Sequence, residues 1–364
     1  MIERLDYYHV RIPLSRMFRT SMGSTGTYNG FLVNIRTDDG LDGWGESIPP
    51  KRITGETDGS VRAALDMIRE AVKGKDETSI ELLWELMEKR VKGSYAAKCG
   101  VDVALWDIMG KRAGMPICRL AGGYRDSMHT SFTVDLGSME EEEEQLNEYI
   151  SMGIHALKIK LGHGIREDYE RVKRARQKGG EDVAVYVDFN QSYTPKKALE
   201  LSESIHKFEI EFLEQPVRAA DLDGLKFVRE RSSIPVMADE SVHGPEDAVR
   251  IIGMGAADML NMKLVKAGGI SRGKRIIELA ESAGLPVMIG CTVESRVGIT
   301  AAAHLALGLK NVQYTDLDGY HSLSKELTKD GLRLTAGEHE VSGKPGLGLT
   351  VDLDRVKEQL AKVT

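Results

Sequence analysis

The sequence predicts an α/β fold, a parallel (β/α)8-type barrel with a cap contributed by the first third of the chain. From Ser127 onward, eight short apolar runs alternate with amphipathic stretches of helical length, the texture of successive strand–helix units. Five of these runs end on Lys160, Asp188, Glu214, Asp239 and Lys263, at intervals of 24 to 28 residues. Such an interval is one strand, one helix and two loops, and barrels of this kind carry their active groups at the C-terminal strand ends. The first third of the chain lacks that cadence.

In the cap, FLVNIRT (31–37) and LDGWGES (41–47) are β-rich runs joined by Asp38-Asp39-Gly40, a hairpin signal. Apolar residues at three- and four-residue spacing predict helices over 61–72, 79–91 and 96–113, the last stopped by Gly114-Met115-Pro116. The barrel strands follow as HTSFTVDL, IHALKIKL, VAVYVDFN, EIEFLEQP, IPVMADES, DMLNMKL, LPVMIGC and NVQYTDLD. An open doubly wound sheet would need a glycine fingerprint after its first strand. Gly162-His163-Gly164 is instead followed by Glu167 where the third glycine should stand. The run Glu140 to Glu144 follows Ser138, an N-cap residue, and reads as the solvated first turn of a helix. From about 320 the texture is β-like again. The expected division is therefore a cap over 1–125 and a barrel over 126–319, with 320–364 packing back on the cap.

The net charge of −7 offers no basic field for nucleic acid or an anionic membrane. No stretch approaches the length of a membrane span, and the N-terminal MIERLDYYHVRIPL has no signal-peptide core. Cys99, Cys118 and Cys291 lack CxxC spacing, which predicts free thiols and a cytoplasmic location.

Side chains alternate along a strand, so Lys158 and Lys160 share the barrel interior while Ile159 faces the helices. Asp188, Glu214 and Asp239 end the next three strands. Three converging carboxylates repel one another unless a cation sits among them, and an all-oxygen donor set suits Mg²⁺. Lys263 ends the sixth strand, four from Lys160 in a ring of eight, so the two lysines face each other across the mouth. A base on each face of one carbon implies racemisation or epimerisation; a single productive base implies elimination.

These residues resemble the enolase superfamily, in its muconate-lactonizing-enzyme subgroup, whose lysine or histidine bases working with Mg²⁺ on an enediolate are established chemistry. The resemblance rests on GWGES, on CGVDVALWDIMGKRAG with LAGG after it, and on the KxK, DxN, EQP, ADES and KxxKAGGI strand ends. It implies a modified TIM barrel, (β/α)7β, with an α+β cap. It further implies Asp188, Glu214 and Asp239 as ligands of one Mg²⁺, and Lys160 and Lys263 as the acid/base pair. Asp316-Leu317-Asp318-Gly319 places a DxD at the end of the eighth strand and looks like the dipeptide epimerases, in which paired aspartates hold the substrate α-ammonium. By the same likeness Lys158 and Thr133 help hold the substrate, Cys291 and Val293 line its pocket, the partner is a small dipeptide and the chain forms a homo-oligomer. Read from packing alone, Cys291 is an apolar filler.

The implied activity is epimerisation at the α-carbon of the second residue of an L-Ala-X-type dipeptide. N-acylamino-acid racemisation, o-succinylbenzoate synthesis or cycloisomerisation on the same scaffold, and a catalytically silent metal-binding module are the alternatives. One departure bears on the substrate. Relatives selective for Ala-Glu carry an arginine in the loop after the first strand, where this chain, in Arg16-Met17-Phe18-Arg19-Thr20-Ser21-Met22-Gly23, has Gly23. With Met22 and Val293 this favours an uncharged second residue, with Arg19 as the nearby cation. Gly23, Gly26 and Gly55 fit a hinged flap.

Overall fold

The computed structural model describes residues 1–361. Its cap opens with an antiparallel sheet of β1 (Ile2–Thr20), β2 (Gly23–Thr37) and β3 (Asp42–Ser47), in that order. Helices α1 (Asp58–Val72), α2 (Ile80–Arg90) and α3 (Tyr95–Ala113) follow. The glycines of GWGES have a steric reason. A Cβ at Gly45 would lie 1.9 Å from the Gly100 carbonyl oxygen, and one at Gly43 would lie 2.1 Å from that of Ala104. Strand β3 therefore lies directly on the α3 backbone, and about two thirds of α3 is buried.

After α4 (Ile117–Ala121) and β4 (Ser127–His129) the strand–helix units begin. They are β5 (Phe132–Val134), α5 (Met139–Ser151), β6 (Ala156–Lys160), α6 (Ile165–Gly179), β7 (Ala184–Asp188) and α7 (Pro195–Ile205). Then come β8 (Ile210–Glu214), α8 (Leu222–Arg231), β9 (Val236–Ala238), α9 (Pro245–Met254) and β10 (Met259–Met262). A short α10 (Leu264–Ala267) precedes α11 (Ile270–Ser282), then β11 (Val287–Gly290), α12 (Arg296–Gly308) and β12 (Val312–Asp316). The strands β5 to β12 form one parallel sheet in sequence order. At its seam the Ser131 N–H donates to the Thr315 carbonyl (2.9 Å) and the Thr315 hydroxyl to that of His129 (2.7 Å), so the barrel is nearly closed. β12 leads into the strands of the tail rather than into an eighth barrel helix; seven strand–helix units and a final strand make a (β/α)7β barrel, as the resemblance implied.

The tail carries β13 (Thr328–Asp330), β14 (Leu332–Thr335), β15 (Glu338–Val341), β16 (Leu349–Val351) and α13 (Leu353–Glu358). It meets the cap where the Arg11 N–H donates to the Gln359 carbonyl (3.0 Å) and the Ala361 N–H to that of His9 (2.8 Å). It also meets the barrel, because β15 pairs with β4. The barrel interior is stratified. Towards the N-terminal strand ends it is filled by Tyr186, Phe212, Met237, Met259 and Met288, with the Tyr186 and Phe212 rings stacked at 4.4 Å. The buried lysines and carboxylates of the strands gather at the opposite end.

Two local expectations change. Residues 16–23 are no loop: β1 runs to Thr20 and β2 starts at Gly23, so a long two-stranded ribbon turns at Ser21-Met22. Alternation does not announce it, because many of its residues on both faces are half-buried. The acidic run is not wholly solvated either. Ser138 and Glu141 form a capping box as expected, yet Glu142 is buried, pairing with Arg171 and with Arg174 at 2.7 Å.

Candidate active site

Strand register puts the charges in one layer. Lys160 lies beside Asp188 and Asp188 beside Glu214 in adjacent strands, and Asp239 follows β9 directly. One carboxylate oxygen from each of Asp188, Glu214 and Asp239 lies within 4.8 Å of the others, and all three side chains are buried. Four lysines face them. The Lys158 ammonium donates to Glu214 Oε1 (2.9 Å) and Asp316 Oδ2 (2.8 Å) and lies 3.3 Å from Asp188. Lys160 donates to Asp188 Oδ2 (2.6 Å), and Lys263 to Asp239 Oδ2 (2.8 Å). Lys266 donates to the Asp239 carbonyl (2.6 Å) and to its carboxylate.

The electrostatics follow from who faces whom. Burial opposes ionisation of every carboxyl here. At Asp188 the charges of Lys160 and Lys158 overcome it, and at Asp239 those of Lys263 and Lys266 do, so both carboxyls are held below the usual range. At Glu214 burial prevails, reinforced by Asp188, and its carboxyl is pushed up to about 8. Glu214 Oε2 is buried and makes no aligned hydrogen bond, although the Lys158 ammonium lies 2.8 Å from it. A crowded all-oxygen triad whose central member resists its own charge fits a hard divalent cation. These residues could hold one.

Several contributors have no role in the sequence analysis, although Asn190, Gln215 and Lys266 stand in its DxN, EQP and KxxKAGGI motifs. Asn261 donates to Glu214 Oε1 (2.8 Å); it stands two residues before Lys263, so strand alternation alone would have found it. Lys266, three after Lys263, sits one helical turn on. Gln215 accepts the Asp239 (2.9 Å) and Ser241 (3.1 Å) N–H groups and donates to the Val217 carbonyl (3.0 Å), bracing two strand ends. Asn190 spans Asp188 and Glu240, 3.1 Å from each. Both are non-glycine residues with positive φ, 36° at Gln215 and 40° at Asn190, conformations held only where surroundings over-determine them. Arg171 supports Lys160 from behind, donating to its carbonyl (3.0 Å) and to that of Asp135 (2.8 Å).

The remaining expected residues converge on a cavity of about 460 Å³ between the ribbon, the loop 48–53 and the barrel mouth. Lys158, Lys160, Lys263, Thr133, Cys291, Val293, Asp316 and Asp318 all line it. Asp316 accepts from Ser131 (3.0 Å) as well as Lys158. Asp318 accepts the Thr133 N–H (2.7 Å) on one oxygen, while among the described residues the other meets only the Cys291 thiol, at 3.9 Å. Cys291 is half-buried and lines the cavity rather than filling the core.

The ribbon tip is docked: the Ser21 hydroxyl lies 3.1 Å from the Phe189 and Asn190 carbonyls, and the Arg19 N–H donates to Asp135 (3.0 Å). The Arg19 side chain pairs with Glu141 (3.3 Å) and does not line the cavity, so it is not the cation the sequence offered there.

A parallel barrel closed by a cap, with lysines set against an acidic triad that could hold a metal, has the groups an acid/base enzyme needs. Residues 5–122 match the mandelate racemase / muconate lactonizing enzyme N-terminal domain and residues 141–356 the enolase C-terminal domain-like family, so the chain belongs to the enolase superfamily. The hydrophobic dipeptide epimerase of Enterococcus faecalis is 36% identical over 95% of this chain and 99% of its own. Its structure with Mg and L-Leu-L-Tyr superposes with a TM-score of 0.94, covering 96% of this chain and 99% of that one. The L-Ala-D/L-Glu epimerase of Bacillus subtilis is 35% identical over 96% of each chain, and its substrate-liganded structure also gives 0.94. The N-succinyl-L-Arg/Lys racemase of Bacillus cereus is 30% identical over 98% of this chain and 97% of its own. By this kinship the chain is an isomerase.

Proposed function

We propose that the chain is a Mg²⁺-dependent dipeptide epimerase that inverts the α-carbon of the C-terminal residue of an L-Ala-X-type dipeptide. The carrying observation is that Lys160 and Lys263 flank the triad from opposite sides, one against Asp188 and the other against Asp239. Asp188, Glu214 and Asp239 would hold the ion. Bound Mg²⁺ supplies positive charge to the substrate carboxylate as the adjacent carbon becomes acidic.

One lysine, as the neutral amine, takes the α-proton from its face, and the ammonium of the other delivers a proton to the opposite face. The carbon is thereby inverted with no net change in protons. Lys158, pinned between Glu214 and Asp316, adds a fixed positive charge beside the reacting centre. Asp316 and Asp318 receive the substrate ammonium; the open oxygen of Asp318 supports this role. Thr133 fixes Asp318, and Cys291 and Val293 form the adjoining wall. The kinship to an N-succinyl racemase supports a second reading, an N-acylamino-acid racemase, which would have no ammonium for that aspartate pair. Three free cysteines support a reducing cytoplasmic setting.

Deuterium uptake at the α-carbon in D₂O with Mg²⁺, across a dipeptide library, tests the proposal. Uptake should occur in the wild type and should be lost in Lys160→Ala and Lys263→Ala, by a factor of about 10² to 10⁴. Wild-type epimerisation by both variants would sink it.

A further inference from the structure

The cations lining the cavity differ in one respect. Lys158, Lys160 and Lys263 each face carboxylates on the floor. Arg16 pairs with Glu148 at 2.8 Å, and Lys51 stands 3.9 Å from Asp58. Arg52, exposed at the cavity rim, has among the described residues no carboxylate within ion-pair distance and no hydrogen bond but that to the Ser24 carbonyl, at 3.2 Å. Its guanidinium lies over Gly23. A Cβ built there would be 2.6 Å from Arg52 Cζ and 2.7 Å from Nη2, so the volume a residue-23 side chain would occupy holds Arg52 instead. The glycine, with φ +132°, makes room for a cation delivered from the neighbouring loop.

The cavity is thus polarised. Asp316 and Asp318 make one wall negative, while Arg52, with Lys51 beside it, makes the roof positive on a protein of net charge −7. The flanking residues Met22, Ile53 and Val293 are apolar. A guanidinium held beside such groups and lacking an anion is a site for a planar carboxylate. We infer that Arg52 is a specificity-determining residue that recognises an acidic side chain on the residue being epimerised. This inference rests on the dipeptide-epimerase reading and adds to it the class of second residue, glutamate or aspartate. It reverses the uncharged preference that Gly23, Met22 and Val293 favour when read without Arg52.

The test compares α-proton exchange on L-Ala-L-Glu, L-Ala-L-Gln and L-Ala-L-Leu for the wild type, Arg52→Met and Arg52→Lys, with Mg²⁺ present. The wild type should prefer the glutamate dipeptide. Arg52→Met should raise KM for that dipeptide about tenfold or more, a loss typical of a charge-assisted hydrogen bond, and bring the Glu/Gln ratio of kcat/KM towards unity. Arg52→Lys should restore part of the ratio, which a purely structural role would not do. A wild type that prefers leucine, or an Arg52→Met ratio equal to wild type, overturns this inference and leaves the epimerase reading standing. Exchange on none of the three dipeptides, nor on any other, overturns both.

Discussion

Two sets of buried carboxylates in this molecule meet opposite fates. On the barrel floor Asp188, Asp239 and Asp316 are held below their usual range, because buried lysines stand against them, while Glu214 in the centre of the triad is raised, by burial and by Asp188. At the cap–barrel boundary Glu46, Asp102 and Asp107 all lie above theirs, because burial outweighs the donors around them. Glu46 takes hydrogen bonds from the Tyr28 hydroxyl (2.7 Å), the Ser295 N–H (2.8 Å) and hydroxyl (2.7 Å), and the Gly298 N–H (2.7 Å). It thereby seats the cap on the first turn of α12. Asp102 does the same at α11, taking the Ser271 N–H (3.0 Å) and the Trp84 indole (2.6 Å). Asp107 receives the Leu347 N–H of the tail (2.8 Å) and the Trp44 N–H (3.0 Å). It is the mixed case, because the partly exposed Lys111 stands 3.0 Å from it and burial still prevails. Charge compensated by charge keeps a group ionised and ready for chemistry. Charge compensated mainly by amides and hydroxyls fixes geometry, at a cost that depends on pH.

The largest effect is expected on the floor. Glu214→Gln keeps Oε1 as the acceptor for Lys158 and Asn261 but removes the carboxylate that would ligate the metal. Turnover should fall about a thousandfold or more, several kcal/mol of lost electrostatic stabilisation. The rise in melting temperature on adding Mg²⁺ should vanish, while the metal-free protein stays as stable as wild type. Calorimetric titration with Mg²⁺ and melting in EDTA check both halves. A variant that binds the ion normally would remove the floor from the comparison.

Glu46→Ala is the counterpart at the latch. It strands four donors at the cap–barrel boundary, and the expected loss is about 3–5 kcal/mol of unfolding free energy. Equilibrium denaturation measures it. The lysine–acid floor is untouched, so any remaining folded fraction should still bind Mg²⁺. A stability within about 1 kcal/mol of wild type would show that the latch carries no more than an ordinary surface contact.

What the sequence could reveal follows the same division. The floor was readable because strand alternation and the strand–helix period are local rules: Lys158, Lys160, Asp188, Glu214, Asp239 and Lys263 announce their positions by spacing alone. Asn261 obeys the same rule, but a neutral amide on a strand carries no charge that would mark it as part of the floor. The latches were not readable. Glu46 meets amides some 250 residues away, and no local pattern records a carboxylate received by distant backbone N–H groups. Arg19 and Arg52 show the same limit within the cavity. Both stand in polar-looking segments near its rim, yet Glu141 draws one away, and the missing side chain of Gly23 admits the other. Loop-to-loop adjacency of that kind exists only after folding.

The smallest expected effect separates the two kinds of carboxylate most directly, because it appears as a slope. Burial raises the Asp102 carboxyl from its ordinary 3.8 to about 6 against the hydrogen bonds it receives. A carboxyl whose folded value lies above its unfolded one binds its proton more tightly in the native state, so its ionisation costs stability. That cost is fully present above the folded value, and it is relieved as the pH falls through about 6 towards 3.8. The size of the shift corresponds to a cost of up to about 3 kcal/mol. Asp102→Asn cannot ionise. It should start at low pH about 1 kcal/mol below wild type, because its amide faces the Ser271 N–H, and should gain on wild type as the pH rises from about 5 to 8. Denaturation of both proteins at the two pH values cancels every other titrating group in the difference. Parallel slopes would mean that the Ser271 and Trp84 donors hold Asp102 ionised as firmly as the lysines hold Asp188, and the distinction between floor and latch would fail at that residue.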